Sequence, residues 1–374
     1  MKISCSSADL LAQLQTVSRV ASTRSAVQAL SGVQVAVTDA GVELRATDME
    51  VALRVPLAAE IQRPGTTVLP ARLTLDVVRA LPAAQVTLEL RPADQDVEIK
   101  SGSATFHIRT LRSEDFPPLP EPGGDAIVEV PATAFVETVS RVARSASRDE
   151  TRPILTGILV SASGTELRMV ATDSYRLSVK ETPLDRELQG SFEANVPARA
   201  LQELVRLAPG GGTDEEAEPT LTVGVRANQI VFETGGAVLS SRLIDGQFPN
   251  FRQLLPDTYE HELRIAGDEL TDVVRRISLL AQKNAPLRLA FREGEVTVSA
   301  QTPDVGEASE TLPVAFTGEP FEIGFNPEFL RDGLESVESG DLILKLISPL
   351  RPGLIESADG SGFLYLIMPI RLNV

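Results

Sequence analysis

An internal repeat limits most strongly what this chain can fold into. Val17-Ser18-Arg19-Val20-Ala21 recurs as Val139-Ser140-Arg141-Val142-Ala143. Leu30-Ser31-Gly32-Val33 recurs as Leu155-Thr156-Gly157-Ile158, and Ala46-Thr47-Asp48 as Ala171-Thr172-Asp173, both at a shift of 125. Pro70-Ala71-Arg72 with Arg79 and Pro82 recurs as Pro197-Ala198-Arg199 with Arg206 and Pro209. Leu111 with Phe116-Pro117 recurs as Leu243 with Phe248-Pro249. The shift grows steadily along the chain, as loop insertions would make it. A third copy is fainter. Leu270, Val274 and Ile277 follow Phe135, Val139 and Val142 by 135, and Leu330 and Leu334 follow Leu201 and Val205 by 129. The competing reading of the third copy is that amphipathic helices resemble one another. Three copies account for all 374 residues, and the period suits a domain rather than a solenoid unit. The domains are expected at 1–125, 126–257 and 258–374. The boundaries fall in the Pro/Gly-rich stretch Pro117–Gly124 and near Leu255–Glu260.

Each copy follows one plan. An amphipathic helix comes first, with Leu10, Leu14, Val17 and Ala21, then Phe135, Val139, Val142 and Ala146, then Leu270, Val273, Val274 and Ile277 at helical spacing. Alternating stretches such as Val33, Val35 and Val37 predict strands. A shorter helix follows, at Leu73–Leu81, Leu201–Leu207 and Phe329–Val337, with Pro70, Pro197 and Pro327 near its starts. More strands close the copy. The fold class is therefore α+β, with two helices packed on antiparallel sheets in each copy. Gly210-Gly211-Gly212, followed by Asp214, Glu215, Glu216 and Glu218, reads as an exposed acidic loop.

Composition narrows the chemistry. Cys5 is the single cysteine, so no internal disulfide forms, which fits a reducing cytoplasm. With two histidines beside it, no ordinary zinc site is expected, and no cofactor. No apolar run approaches the roughly 18 residues of a membrane span, and the first residues show no secretory pattern. A net charge of −17, 13 Phe, 3 Tyr and no Trp argue against a nucleic-acid binder on their face. The charge is unevenly spread. The helical stretches 7–24, 71–81, 132–152, 198–208, 268–283 and 327–337 hold 14 Lys+Arg against 12 Asp+Glu, whereas the remainder holds 21 against 40. Arg19, Arg24, Arg72, Arg79, Arg141, Arg144, Arg148, Arg199, Arg206, Arg275 and Arg276 are candidates for a common basic face. Ordinary solvated helix faces would also carry arginine, and the sixth helix is acidic.

Catalytic motifs are missing. There is no phosphate-binding Gly-x-x-x-x-Gly-Lys-Ser/Thr loop, and His107 and His261 have no Ser or Cys partner in a recognisable pattern. Asp48 and Asp173 are duplicated and could form a carboxylate dyad. Their Thr-Asp context at strand ends favours a turn, and the third copy has Gln301-Thr302-Pro303 there. The chain is not expected to be an enzyme. A hydrolase using these aspartates and an acidic oligomeric scaffold stand as alternatives.

Four motifs then carry a resemblance: Val170-Ala171-Thr172-Asp173-Ser174-Tyr175-Arg176-Leu177, Leu243-Ile244-Asp245-Gly246-Gln247-Phe248-Pro249, Glu322-Ile323-Gly324-Phe325-Asn326, and Met368-Pro369-Ile370-Arg371-Leu372. Together they make the chain resemble, along its whole length, the bacterial DNA sliding clamps, the beta subunit of the DNA polymerase III holoenzyme. The resemblance implies three clamp domains per chain and a head-to-tail homodimer closed into a ring, helices inside and sheets outside. Such a ring is a processivity factor of DNA replication in the cytoplasm. It holds double-stranded DNA by topology and slides without sequence specificity, which reconciles an acidic rim with a DNA-binding role. By resemblance Arg24 and Arg148 or Arg152 lie near DNA. A hydrophobic groove for short Gln-x-x-Leu-Phe-type motifs is implied at Leu155, Thr172, Tyr175, Arg176, Leu177, Pro249, Leu254, Asn326, Phe329, Leu350, Ile367, Met368, Pro369, Ile370 and Arg371. Its implied clients are the replicative polymerase alpha subunit, the clamp loader, other DNA polymerases, mismatch-repair proteins and ligase. Ordinary core is the competing reading of Leu155 and Leu177. Ser174, Gln253 and the lack of Phe in Gln282–Pro286 depart from the family pattern, as do Pro153 and Ile154 where a pair of Tyr is known. Phe106, Ile108, Ile277, Leu279 and Leu280 are expected at the dimer interface, with core within their own domains as the other reading.

Overall fold

The computed structural model describes residues 1–207, 219–281, 285–303, 305–337 and 340–372. Its helices are α1 Ser7–Val17, α2 Ala71–Arg79, α3 Ala132–Val142, α4 Ala198–Leu207, α5 Gly267–Ser278 and α6 Pro327–Ser336. The element order repeats three times: a strand, a helix, four strands, a helix and three strands, with one extra strand, Ala59–Arg63, in the first copy. The acidic loop expected at 210–218 lies outside the described residues, as do 282–284 of the stretch lacking Phe.

Two helices are shorter than the spacing predicts. α1 stops at Val17, where Ser22 Oγ accepts from Arg24 N (3.4 Å) and Ser25 Oγ from Val27 N (3.0 Å). α3 gives way to a 3₁₀ turn at Ala143–Ser145, after which Ser147 Oγ accepts from Asp149 N (3.1 Å) and Asp149 Oδ1 from Thr151 N (3.0 Å). Such side chain–backbone bonds compete with the helical ladder. Arg24, Arg148 and Arg152 therefore sit on loops, not on helices.

The chain forms two compact units. The first comprises Met1–Thr133 and Arg206–Leu243. Its five-stranded sheet runs Ala59–Arg63, Lys2–Ser6, Gln85–Arg91, Asp96–Ser101, Ala104–Arg109. Its eight-stranded sheet runs Ala126–Pro131, Thr220–Arg226, Gln229–Thr234, Ala237–Arg242, Val51–Leu57, Gly41–Thr47, Gly32–Thr38, Gly65–Pro70. All pairs are antiparallel. α1 buries Leu10, Leu14 and Val17 against α2 and the strand Val51–Leu57. At about 1.5–3 kcal/mol per buried aliphatic side chain, these contacts outweigh the helix's own propensity.

The second unit comprises Ala134–Val205 and Ile244–Val374. Its eight-stranded sheet runs Phe192–Pro197, Gly157–Ser163, Glu166–Thr172, Arg176–Pro183, Phe363–Ile367, Gly353–Ser357, Asp341–Leu346, His261–Ala266. A four-stranded sheet runs Gly306–Pro313, Glu295–Thr302, Leu287–Arg292, Phe321–Phe325. α5 and α6 pack together over a core that includes Leu270, Val274, Leu330, Leu334 and Tyr365. Gly333 permits the contact: a Cβ there would meet the Tyr365 ring at 2.5 Å.

In each unit the eight-stranded sheet joins four strands from one copy to four from the next. The seam pairs a copy's last strand with the previous copy's third strand after its first helix: Ala237–Arg242 with Val51–Leu57, and Phe363–Ile367 with Arg176–Pro183. Two strands lack this partner. Ala104–Arg109, the last strand of copy one, and Gly306–Pro313, the corresponding third strand of copy three, each end their sheet.

Candidate functional site

At the seam of the second unit lies a cavity of about 430 Å³. Thr172, Tyr175, Arg176, Leu177, Leu254, Leu350 and Met368 line it, together with Ser174, Gln253, Leu255, Pro256, Arg351, Pro352 and Leu366. Leu177 faces Leu366 across the seam, and both belong to a small apolar cluster with Val170, Val179 and Leu354. The rim is apolar and wet: Tyr175 is 60%, Leu254 50%, Leu350 60% and Met368 41% exposed. A concave surface presenting several large apolar side chains is the usual form of a ligand or peptide site.

The turn entering the seam is fixed by its own side chains. Asp173 Oδ1 accepts from Tyr175 N (2.9 Å) and Arg176 N (3.0 Å), and Thr172 Oγ1 donates to Arg176 O (2.6 Å). Asp48 Oδ1 likewise accepts from Glu50 N (3.1 Å) and Val51 N (2.9 Å). The duplicated acid is a turn residue in both copies. Ser174 takes φ 78°, the left-handed region that suits glycine. Met368 N donates to Tyr175 O (2.9 Å), tying the chain beyond the last strand to the turn.

Arg176 lines the cavity but is only 7% exposed. Its Nε donates to Asp173 Oδ2 (3.1 Å), its Nη1 to Asp332 Oδ2 (2.6 Å) and its Nη2 to the Arg144 carbonyl. Its guanidinium carbon lies 4.3 Å from the Phe329 ring centre, and Phe329 stacks on Tyr175 at 6.4 Å. Burial pushes the Tyr365 hydroxyl above the ordinary phenol range, so it stays protonated and donates to Phe329 O (2.7 Å). Arg176 thus braces the groove wall and has few donors left for a ligand.

The other residues expected in the groove do not line this cavity. Ile367 is fully buried in the main core with Tyr365, because alternation along Phe363–Ile367 sends Leu364 and Leu366 to the groove side, and of these Leu366 lines the cavity. Leu155 is buried in a 3₁₀ turn. Asn326 caps α6, accepting from Glu328 N (2.9 Å) and Phe329 N (3.1 Å). Phe329 stands behind Tyr175, and Pro249 and Pro369 lie off the lining. Ile370 bridges to Gly324, and with Arg371 it borders a separate cavity of about 910 Å³. The sequence reading missed Leu366, Leu255, Pro256, Arg351 and Pro352. The Leu255–Glu260 stretch read only as a boundary, although its Leu-Pro pair beside Leu254 was a usable signal.

The arginines expected at DNA split into groups. Arg24, Arg72 and Arg148 are exposed and in no ion pair among the described residues. Arg19, Arg199 and Arg206 have partners within the chain. Arg79 pairs with Asp76 (3.2 Å), Arg152 with Asp149 (3.1 Å) and Arg276 with Glu310 (2.8 Å). Arg141, Arg144 and Arg275 engage the end of α6. Of the expected interface residues, Ile108 and Ile277 are buried by their own sheets and helices and have no surface to offer. Leu279 is 84% exposed, with Phe106 and Leu280 exposed in part.

Comparison with known proteins decides the family. Models of the DNA polymerase III beta subunit match residues 1–120 (N-terminal domain), 129–250 (central domain) and 252–371 (C-terminal domain). The beta sliding clamp of Synechococcus elongatus is 32% identical, with all of both chains covered. The chain belongs to the DNA polymerase III beta subunit family. The Escherichia coli beta sliding clamp is 31% identical over both full lengths. The solved sliding clamp of Bacillus subtilis superposes with a TM-score of 0.90 at 26% identity, and that of Pseudomonas aeruginosa bound to griselimycin with 0.87 at 28%; both comparisons cover all of each chain. As a beta sliding clamp the chain is a processivity factor of DNA replication, not an enzyme, built from three clamp domains. No helix among the described residues is long and apolar enough to cross a membrane.

Proposed function

We propose that two copies of this chain join head to tail into a ring that encircles double-stranded DNA in the cytoplasm. The observation that carries this reading is the pair of unmatched sheet ends. Ala104–Arg109 and Gly306–Pro313 are the counterparts of strands that pair at both internal seams, so a second copy pairing them would extend the same rule. Their charged side chains are of opposite sign: Arg109 on one and Glu307 on the other, with Glu310 already paired to Arg276. Phe106, Leu279 and Leu280 supply apolar surface beside them. Domains divide at 1–125, 126–257 and 258–374, in keeping with the three matched family regions. The exposed Arg24, Arg72 and Arg148 make loose phosphate contacts.

The cavity at the second seam is the groove for client peptides of the Gln-x-x-Leu-Phe type, carried by the polymerase alpha subunit, clamp loader, other polymerases, mismatch-repair proteins and ligase. Leu177 and Leu366 form its floor, and Tyr175, Leu254, Leu350 and Met368 its rim. The test is retention on circular against linearised DNA together with mass in solution. A ring of twice 40.1 kDa that stays on circles and runs off cut DNA supports the reading. A monomer, or equal loss from both DNAs, overturns it.

A further inference from the structure

The three short helices align without gaps: 71–79 maps to 198–206 at a shift of 127, and 198–207 to 327–336 at 129. Arg72 and Arg199 thus correspond to Glu328, and Arg79 and Arg206 to Glu335. Copy three has reversed the charge at both basic positions. Glu335 is also occupied. Arg144, from the turn after α3, donates to its Oε2, and Arg275, from α5, reaches its Oε1 through Nη2 at 3.0 Å and Nε at 3.2 Å. One helical turn earlier Asp332 takes Arg176 (2.6 Å) and also faces Arg144 (3.6 Å). Arg141 caps the same end through Ser336 O (3.0 Å), where the helix dipole is negative. The Glu335 carboxyl lies below the ordinary carboxylate range, chiefly because Arg144 donates to it and then because Arg275 does.

We propose that Glu335 is a positioning residue that restrains DNA grip: it holds Arg144 and Arg275 against α6 and keeps them from duplex phosphate. A lining basic on every helix would bind phosphates tightly, and each phosphate contact must break before the ring can move. Pairing two arginines internally preserves the packing they give while withdrawing their charge. The inference rests on the DNA-encircling reading above.

The test uses the full-length chain carrying Glu335→Gln, with Glu335→Asp as the conservative control and Arg148→Ala as the reference for DNA contact. Affinity for linear duplex is measured from 50 to 200 mM salt, and run-off is timed after cutting a loaded circle. Two released arginines would steepen the salt dependence by at most about two counterions, roughly a tenfold larger loss of affinity over that range, less whatever Asp332 retains of Arg144 and Asp272 of Arg275. Glu335→Gln is expected to show this steeper slope and slower run-off, Glu335→Asp the parental slope, and Arg148→Ala a shallower one. If Arg148→Ala lowers affinity while the Gln variant keeps the parental slope, the restraint is refuted and the DNA reading stands. If Arg148→Ala changes nothing, both fall. Because a structural defect weakens binding without steepening its salt dependence, a weakened Gln variant with an unaltered slope also counts against the restraint.

Discussion

The two seams share a backbone and differ in what they offer. In the first unit Ser240 pairs with Ala52, as Leu366 pairs with Leu177 in the second. Arg242 N donates to Glu50 O at 2.9 Å, as Met368 N does to Tyr175 O. Both turns hold Thr and Asp in the same bonds, and both place a non-glycine residue at nearly one left-handed angle, Met49 at φ 79° and Ser174 at φ 78°. The first seam has Glu50, Ala52, Ser240 and Arg242 where the second has Tyr175, Leu177, Leu366 and Met368. Its cavity, lined also by Pro117–Pro120, is about 120 Å³ against 430 Å³. Duplication preserved the hydrogen bonds that build the seam, and a few side chains decide which copy is a binding site.

The comparison breaks most sharply if its side chains are exchanged. Met368→Arg, which installs the first seam's residue on an exposed rim, is expected to weaken a Gln-x-x-Leu-Phe peptide by ~30-fold or more in fluorescence anisotropy, the effect of losing a central contact of ~2 kcal/mol or more. The melting temperature should hardly move, and an unchanged affinity would remove Met368 from the groove. Next in size is Asp173→Ala. It loses a turn cap worth about 1 kcal/mol and its pair with the buried Arg176 guanidinium, so it should cost ~3 kcal/mol in denaturant unfolding. A cost no larger than the cap would show that Arg176 is held by its other partners, Asp332 and the Arg144 carbonyl.

Much of this was legible beforehand. Thr47-Asp48 and Thr172-Asp173 announced the repeated turn, and the periodicity of Leu10, Leu14 and Val17 gave α1. Strand register was not legible. Which of Tyr365, Leu366 and Ile367 faces the groove depends on pairing across 189 residues, Leu177 to Leu366, and no local pattern carries that. Helix ends were overrun for a similar reason: Arg19 to Arg24 look helical until the serines bind their own backbone.

Two smaller effects sharpen the comparison. Ser174→Gly and Met49→Gly should each change stability by under ~1 kcal/mol, relief of the left-handed strain being partly offset by unfolded-state entropy, and by similar amounts because the angles match. Unequal shifts in urea midpoint would mean that the two turns are not equivalent. Acid separates the units too. Glu335 is depressed by its two arginines in the second unit, and Glu121 by Arg54 in the first, where its side chain is 76% exposed. A depressed carboxyl contributes stability above about pH 4.3 that is lost as pH falls through the folded-state value. Glu335→Gln should therefore flatten the acid limb of melting temperature against pH more than Glu121→Gln does. A reversed order would place the stronger coupling in the exposed pair.

Each eight-stranded sheet is a shared possession: half of it is encoded by one copy and half by the next. During synthesis the strand Val51–Leu57 must wait for Ala237–Arg242, made nearly two hundred residues later, before its outer side is sealed. A nascent first copy therefore leaves the ribosome with a raw margin, and trimming the gene at a domain border would leave that margin open for good.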